Sequence, residues 1–226
     1  MVVVIRKNNM LTFKDTDTQK TYVSTDFHLK HDPKWDNPIW KMRGFNSAIE
    51  MTDEIIDSVN NTVMPDDNLI YLGDFCLNTS IEQFEVLISR INCKNIYMLW
   101  GNHANPHYKQ IYKPLVKTIL GEQYTDESEI YPLRYKNIIY LGHYAEVIIN
   151  GYICVLSHFP LLIWNNVKNG SIQLTGHSHG NCEATNSKNM TGKILDCGWD
   201  EFKKPLSFPE ILAIVESKRY KSIDHH

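Results

Sequence analysis

The amino-acid sequence predicts an α/β protein with a substantial mixed β-sheet, and three observations support this fold class. Short apolar runs that end in glycine or polar residues recur along the chain, as expected of buried strands. Segments with apolar residues at helical spacing separate the first of these runs, so that strands and helices alternate. Later runs follow one another with few helical patterns between them, which predicts a meander of strands.

The first half of the chain predicts three strands and three helices. The strands are the apolar runs 21–25, 69–72 and 96–100. The helices cover 46–59, 80–90 and 106–120. Ser80 is expected to cap the second helix, with Gln83 at the capping-box position, and Pro114 is expected to kink or split the third.

The second half of the chain predicts six strands. They cover 138–141, 146–149, 152–156, 172–175, 191–195 and 211–215. Asn150-Gly151 is a strong signal for a two-residue hairpin between the second and third of these strands. Ligands of α/β sheets bind beyond the carboxyl ends of the strands, so we expect the polar residues that follow the strands to converge there.

Length and composition indicate one globular domain that spans residues 1–226. Hydrophobic residues make up 42% and charged residues 22%, which excludes global disorder. The net charge of −3 lacks the basic excess of proteins that bind long duplexes. An extended duplex nucleic acid is therefore not an expected partner, and a small phosphate-bearing substrate is favoured.

The apolar runs and the cysteines suggest a cytoplasmic protein. The apolar run at the start is too short for a signal peptide, and no later run is long enough for a membrane span. The five cysteines are odd in number and lack C-x-x-C spacing, so we expect reduced, buried thiols rather than disulfides.

Six short polar motifs occur along the chain, nearly all of them directly after an apolar run. They are Asp26-Phe27-His28, Gly73-Asp74, Gly101-Asn102-His103, Ser157-His158, Gly176-His177 and Ser178-His179. Carboxylate oxygen, amide oxygen and imidazole nitrogen form a ligand set that suits Mn, Fe, Zn, Co or Ni. Residues i and i+2 of a strand share a face, so Asp26 with His28, and His177 with His179, should each aim two ligands into one pocket.

This ordered series of Asp-x-His, Gly-Asp, Gly-Asn-His, His and Gly-His-x-His resembles the calcineurin-like metallophosphoesterase superfamily. The resemblance covers about residues 25–195, which is most of the chain. The segments 26–31, 43–45 and 72–75 further resemble the small single-domain members found in bacteria and their phages. The resemblance implies a four-layer sandwich of two mixed β-sheets flanked by α-helices.

The resemblance also implies two divalent metal ions, with Mn as the first choice and Fe, Zn, Ni or Co as alternatives. The ligands of the first ion would be Asp26, His28 and His179. The ligands of the second would be Asn102, His158 and His177. Asp74 would bridge the two ions, and His103 would be the general acid. The family often has an acidic residue after Gly-Asn-His that orients this histidine, whereas this chain has Ala104.

Other residues are candidates for substrate binding. His31 is expected close to a substrate phosphate or behind the metal ligands, with an exposed loop as the alternative. Arg43 is expected to clamp a substrate phosphate through two hydrogen bonds, with a solvated charge as the alternative. Two basic–aromatic pairs, Lys34-Trp35 and Trp40-Lys41, would either stack a nucleobase or belong to a packed loop.

The remaining candidates lie at the edges of the pattern. Asp196, Trp199 and Asp200 are expected at the rim of the pocket, and His143 is expected to be structural. The lysines at every fourth position of the third helix favour a solvated face over a phosphate-binding one; they are Lys109, Lys113 and Lys117.

These expectations favour a hydrolase of phosphoric esters that uses a metal-activated hydroxide. A phosphodiester of a nucleotide or short nucleic acid is the preferred substrate. A phosphomonoesterase and an Mn-dependent nuclease are the alternatives within the same chemistry. A non-catalytic scaffold with the same fold is disfavoured because every metal-ligand position of the motif series is filled.

Overall fold

Two mixed β-sheets form the framework of the protein in this computed structural model. The structure describes residues 10–31, 37–77, 79–103, 108–182 and 192–220. In spatial order, one sheet contains β1 (Leu11–Phe13), β7 (Tyr144–Ile149), β8 (Tyr152–Ser157), β9 (Ile172–Thr175) and β10 (Lys193–Asp196), numbered along the chain. The other contains β11 (Leu206–Ser207), β2 (Thr21–Ser24), β3 (Asn68–Tyr71), β4 (Asn95–Leu99), β6 (Ile138–Gly142) and β5 (Leu133–Tyr135).

Six α-helices accompany the sheets within the described residues. They are α1 (Ile39–Met42), α2 (Ala48–Thr62), α3 (Ile81–Ser89), α4 (Lys113–Leu120), α5 (Trp199–Phe202) and α6 (Phe208–Val215). The capping box at the start of α3 is confirmed, because Ser80 and Gln83 exchange side-chain and backbone hydrogen bonds. A π-helical turn, Tyr108–Tyr112, leads into α4, so Pro114 falls in the first turn of the α-helix, where proline is tolerated.

The strand directions bring the ends of several strands to one edge. β2, β3, β4 and β6 are parallel neighbours, and β8, β9 and β10 are parallel in the other sheet. The predicted meander is therefore wrong for β8 to β10, because long connections return the chain between parallel strands. The predicted hairpin at Asn150-Gly151 is confirmed: both residues have positive φ, and β7 pairs with β8 across the turn.

Alternating side chains of the six-stranded sheet enter two apolar cores. On β3, Leu69 and Tyr71 pack towards α2 and α3, whereas Ile70 packs towards the five-stranded sheet. Leu156 of β8 and Leu174 of β9 meet Ile70 in this second core. The two sheets thus pack against each other and share one apolar layer, while helices cover the opposite face of the six-stranded sheet.

One predicted strand is wrong. The segment 211–215 lies in helix α6 rather than in a strand. Its β-branched residues suggested a strand, but Ser207 and Glu210 form a capping box and Pro209 occupies the first turn, and both features favour a helix start. The predicted strand 191–195 corresponds to β10, although Thr191 itself lies outside the described residues.

Two further expectations concern membrane spans and cysteines. Within the described parts of the chain, the helices are too short or too polar to cross a bilayer. Four of the five cysteines are buried, as expected; they are Cys76, Cys93, Cys154 and Cys197.

Candidate metal centre

The polar motifs converge where the parallel strands of the two sheets end. Asp26 follows β2 and Asp74 follows β3, and the two loops run side by side. The backbone N–H of Asp26 donates to the carbonyl of Gly73, and that of His28 donates to the carbonyl of Asp74. These bonds continue the β2–β3 pairing past the strand ends and hold both aspartates in one place.

One group of possible metal ligands consists of Asp26, His28 and His179. Nε2 of His28 lies 3.6 Å from Oδ1 of Asp26, and Nε2 of His179 lies 3.9 Å from the same oxygen. The two imidazole rings are stacked with their centroids 5.0 Å apart. Three ligand atoms therefore face a common point beside a carboxylate that is wholly buried.

Asp74 lies at the centre of the cluster and belongs to two further groups that could hold a metal. Its Oδ2 lies 3.3 Å from Nε2 of His158, 3.8 Å from Nε2 of His103 and 3.9 Å from Nε2 of His28. The backbone N–H of His103 donates to the other oxygen, Oδ1, over 3.0 Å. One carboxylate thus faces histidines from three different loops.

The side chain of Asn102 lies close to the two remaining ligand candidates, His158 and His177. Its Oδ1 lies 2.9 Å from Nε2 of His158 and 3.0 Å from Nδ1 of His177. His158 links this group to Asp74, whereas His177 is exposed and lies at the solvent side. The structure therefore brings together all seven residues that the sequence predicts as metal ligands.

The buried atoms of the cluster fit a cation. Oδ1 of Asp26 and both ring nitrogens of His28 are buried and have no hydrogen-bond partner among the described residues. Burying a carboxylate oxygen and two imidazole nitrogens without partners is costly. A divalent cation would satisfy the Asp26 oxygen and one His28 nitrogen, and this donor set suits first-row transition metals.

The paired motifs converge through unusual backbone conformations, not through the pleat of a strand. Asp26 and His28 have φ of 59° and 51°, and His177 and His179 have φ of 68° and 50°. The expectation that each pair shares one strand face is wrong, because these residues lie beyond the strand ends. Non-glycine residues rarely adopt positive φ, and such strain is concentrated at functional sites.

Two glycines make room for the aspartates. A Cβ on Gly101 would lie 1.9 Å from Oδ1 of Asp74, and a Cβ on Gly176 would lie 2.4 Å from Oδ2 of Asp26. No side chain fits at such distances, so the glycines of the motifs serve the close approach of backbone to carboxylate.

Replacing Gly101 with alanine is expected to weaken Mn²⁺ binding at least about tenfold, because Asp74 must move from the centre of the cluster. Isothermal titration calorimetry with Mn²⁺ measures the change. Gly170→Ala is the control: an added Cβ meets nothing within 4 Å there, although its φ of 84° makes alanine strained. Equal Mn²⁺ affinity of Gly101→Ala and the native protein would contradict this role of Gly101.

The histidines of the cluster differ in their proton affinity. Burial lowers the pKa of His28 and of His177. Burial acts in the same direction on His158 and His179, but Asp74 and Asp200 respectively outweigh it and raise the pKa of these histidines. Burial would raise the pKa of Asp74, but the contacts with His158 and the backbone N–H of His103 lower it to about 2.

Mn²⁺ binding is expected to release protons and to tighten as the pH rises through neutrality. Because their pKa is raised, His158 and His179 remain protonated at pH values above about 6.5, the ordinary pKa of histidine. A metal ion must displace these protons when it binds. His28, whose pKa is lowered, is already neutral there. Calorimetry in two buffers of different ionisation enthalpy counts the protons released. An Mn²⁺ affinity that is constant between about pH 6 and pH 8 would contradict the prediction.

A cavity of about 730 Å³ opens beside the first ligand group, and several predicted substrate contacts line it. His28, His103 and His179 belong to its polar lining, and His31 lines it as well. The His31 ring lies 6.0 Å from that of His28, and its Nδ1 accepts a hydrogen bond from the backbone N–H of Ile39. The apolar wall consists of Ile39, Met42 and Leu77.

Arg43 also lines this cavity, but its side chain is only 2% exposed, so the solvated alternative is wrong. Its guanidinium forms two hydrogen bonds with the carboxylate of Asp200, of 2.8 and 2.6 Å. It also donates to the backbone carbonyls of Asp26 and Phe27. These two hydrogen bonds go to a carboxylate of the protein itself, and the binding of a substrate phosphate by Arg43 stays a prediction.

Of the three residues predicted at the rim of the pocket, one lines the cavity and two are buried. Asp200 lines the cavity, as expected. Asp196 and Trp199 are buried, and their predicted place at the rim is wrong. Asp196 accepts the backbone N–H groups of Gly180 and Gly198, because the tight loops there leave these donors to be satisfied.

The basic and aromatic candidates show no common pattern. Trp40 is partly buried against the core under α2, which supports a packed segment. Lys113 donates to the backbone carbonyls of residues 126 and 128. Lys109, Lys117 and His143 are exposed. Lys34, Trp35 and Ala104 lie outside the described residues.

Comparison with known proteins gives a similarity in fold but no information on function. Neither a family model nor a curated protein matches the chain. The chain is similar to a solved structure from Aquifex aeolicus, the protein of unknown function AQ665, with 17% sequence identity and a TM-score of 0.57. The match covers 88% of this chain and 100% of that one. The chain therefore shares the α/β fold of a solved protein.

Proposed function

We propose that the protein is a metal-dependent phosphoesterase of the calcineurin-like metallophosphoesterase superfamily, with two divalent cations and Mn²⁺ as the first choice. One observation carries the proposal: Asp74 faces both ligand groups, with Oδ2 3.3 Å from Nε2 of His158 and 3.9 Å from Nε2 of His28. A shared carboxylate between two sets of ligands is the arrangement that a pair of cations needs.

The two sheets support the fold expected of this superfamily. They pack against each other through one apolar layer, and α2 and α3 cover the outer face of the six-stranded sheet. The complete four-layer sandwich, with α-helices on both outer faces, is part of the proposal.

Each residue of the cluster has a defined task in the proposed chemistry. Two divalent cations, when bound, would acidify a water molecule and neutralise phosphoryl oxygens. Asp26, His28 and His179 would hold the first cation, and Asn102, His158 and His177 the second. Asp74 would remain ionised between them, because its pKa of about 2 lies far below neutrality.

His103 is the proposed proton donor. Its side chain is 38% exposed and lines the cavity, so its ring reaches the space where a substrate would lie. We propose that it donates a proton to the leaving oxygen of the ester, a step that a positioned histidine accelerates by about two to four powers of ten.

The cavity supports a substrate with a sizeable group beyond its phosphate. Its volume of about 730 Å³ far exceeds what a phosphate needs, and its wall of Ile39, Met42 and Leu77 suits an apolar or planar group. A phosphodiester of a nucleotide or short nucleic acid meets both conditions and is the preferred substrate.

A substrate panel with Mn²⁺, Zn²⁺, Ni²⁺, Co²⁺ and Fe²⁺ tests the proposal. Bis(p-nitrophenyl) phosphate, p-nitrophenyl phosphate, cyclic nucleotides and single- or double-stranded DNA cover the diester, monoester and nuclease possibilities. We expect metal-dependent turnover of the diester. Turnover of the monoester alone would refute the diester preference, and no turnover with any metal, together with no bound metal, would refute the enzyme.

A further inference from the structure

We infer that Asp200 and Arg43 are positioning residues that orient His179 as a metal ligand. The inference rests on the proposed function. Neither residue belongs to the motif series, and both come from segments outside the strand-end loops: Arg43 follows α1, and Asp200 lies in α5. Their side chains nevertheless meet behind the first ligand group.

Asp200 fixes the ring of His179. Its Oδ2 lies 2.6 Å from Nδ1 of His179, so the imidazole donates that N–H to the carboxylate. Nε2 is then left with its lone pair and lies on the side of Asp26, 3.9 Å from Oδ1. A carboxylate behind a histidine selects the tautomer and the ring orientation that metal binding requires.

Arg43 binds both Asp200 and the backbone of the segment that carries Asp26 and His28. Its guanidinium donates a hydrogen bond to each carboxylate oxygen of Asp200. It also donates to the backbone carbonyls of Asp26 and Phe27, over 2.7 and 2.8 Å. Asp26 has a positive φ, so its turn needs outside support. One buried side chain thus connects the ligand from the first motif with the ligand from the last.

The ion pair of Arg43 with Asp200 is less exposed to solvent than an ordinary surface ion pair. Arg90 and Asp53 also form a 2.8 Å contact, but their side chains are 38% and 50% exposed. The corresponding values are 2% for Arg43 and 19% for Asp200. Arg43 and Asp200 are therefore better shielded from water than this surface pair, and Asp200 contacts His179 directly.

The test measures Mn²⁺ binding by calorimetry for Asp200→Ala, Asp200→Asn and the control Asp53→Ala. We expect Asp200→Ala to weaken binding by about 10- to 100-fold, which is the usual effect of losing such a partner. Asp200→Asn should weaken binding less, because its amide oxygen still accepts from His179. Asp53→Ala should bind like the native protein. Circular dichroism establishes that each variant is folded, and Asp200→Asn, which keeps the side-chain volume, serves if the alanine variant unfolds.

A second readout follows the tautomer directly. In the Zn²⁺-loaded native protein, ¹⁵N NMR should show the proton of His179 on Nδ1. A proton on Nε2, or native Mn²⁺ affinity in a folded Asp200→Ala, would overturn the inference while leaving the proposed function intact. A native protein that binds no divalent cation would instead refute the proposed function.

Discussion

Replacing Asp74 with asparagine is expected to lower kcat/KM for a phosphodiester by about a thousand-fold or more. Asp74 is buried and faces His28, His103 and His158, so its carboxylate lies between the two ligand groups. A neutral amide neither bridges two cations well nor offsets their repulsion. A loss of about 4 kcal/mol of transition-state stabilisation corresponds to this factor.

The measurement is turnover of bis(p-nitrophenyl) phosphate at saturating Mn²⁺, together with the metal content of the purified variant. Asn has nearly the same shape as Asp, so the fold should survive. Asp66→Asn is the matched control, because its side chain is 76% exposed and pairs with Lys94 on the surface. If Asp74→Asn kept a tenth or more of the native activity, Asp74 could not be the bridging ligand.

The location of the cluster could be predicted from the sequence because strand order and ligand order coincide. Asp26, Asp74 and Asn102 each follow an apolar run, and these runs are the parallel neighbours β2, β3 and β4. Parallel strands end at the same edge, so residues that follow them must meet. His158 and His177 follow the parallel strands β8 and β9 in the same way.

The local geometry could not be predicted in the same way. Asp and His adopt positive φ more often than most residues, but this propensity does not indicate which Asp or His will do so. At Asp26 and His28 the positive φ accompanies hydrogen bonds with the neighbouring loop and with Arg43, which the sequence does not show. The contact of Arg43 with Asp200 joins residues 157 positions apart. The sequence suggested a two-pronged role for Arg43 and a place near the pocket for Asp200, but it contained nothing that would pair them.

The helix α6 shows how a local start signal decides between two patterns. Residues 211–215 are apolar and partly β-branched, which suits a buried strand as well as a buried helix. The capping box between Ser207 and Glu210 lies before this run and decides in favour of the helix. The residues that precede an apolar run can therefore determine its structure when the run itself suits both.

Replacing His103 with alanine is expected to lower kcat by about two to four powers of ten for a substrate with a poor leaving group. The backbone N–H of His103, not its side chain, donates to Oδ1 of Asp74, so this bond survives the substitution. The Mn²⁺ affinity should therefore stay within about twofold of the native value if the side chain acts only as an acid. His143→Ala, at an exposed position, is the control.

Substrates with different leaving groups distinguish whether His103 acts as a general acid or as a metal ligand. A nitrophenolate departs without a proton, so His103→Ala should retain far more activity on p-nitrophenyl esters than on alkyl esters if the side chain is a general acid. His28, Asp74 and His103 also form a group that could hold a metal. If His103→Ala lowers the Mn²⁺ affinity and slows both kinds of ester equally, His103 is a metal ligand and the proton for the leaving oxygen must come from another group.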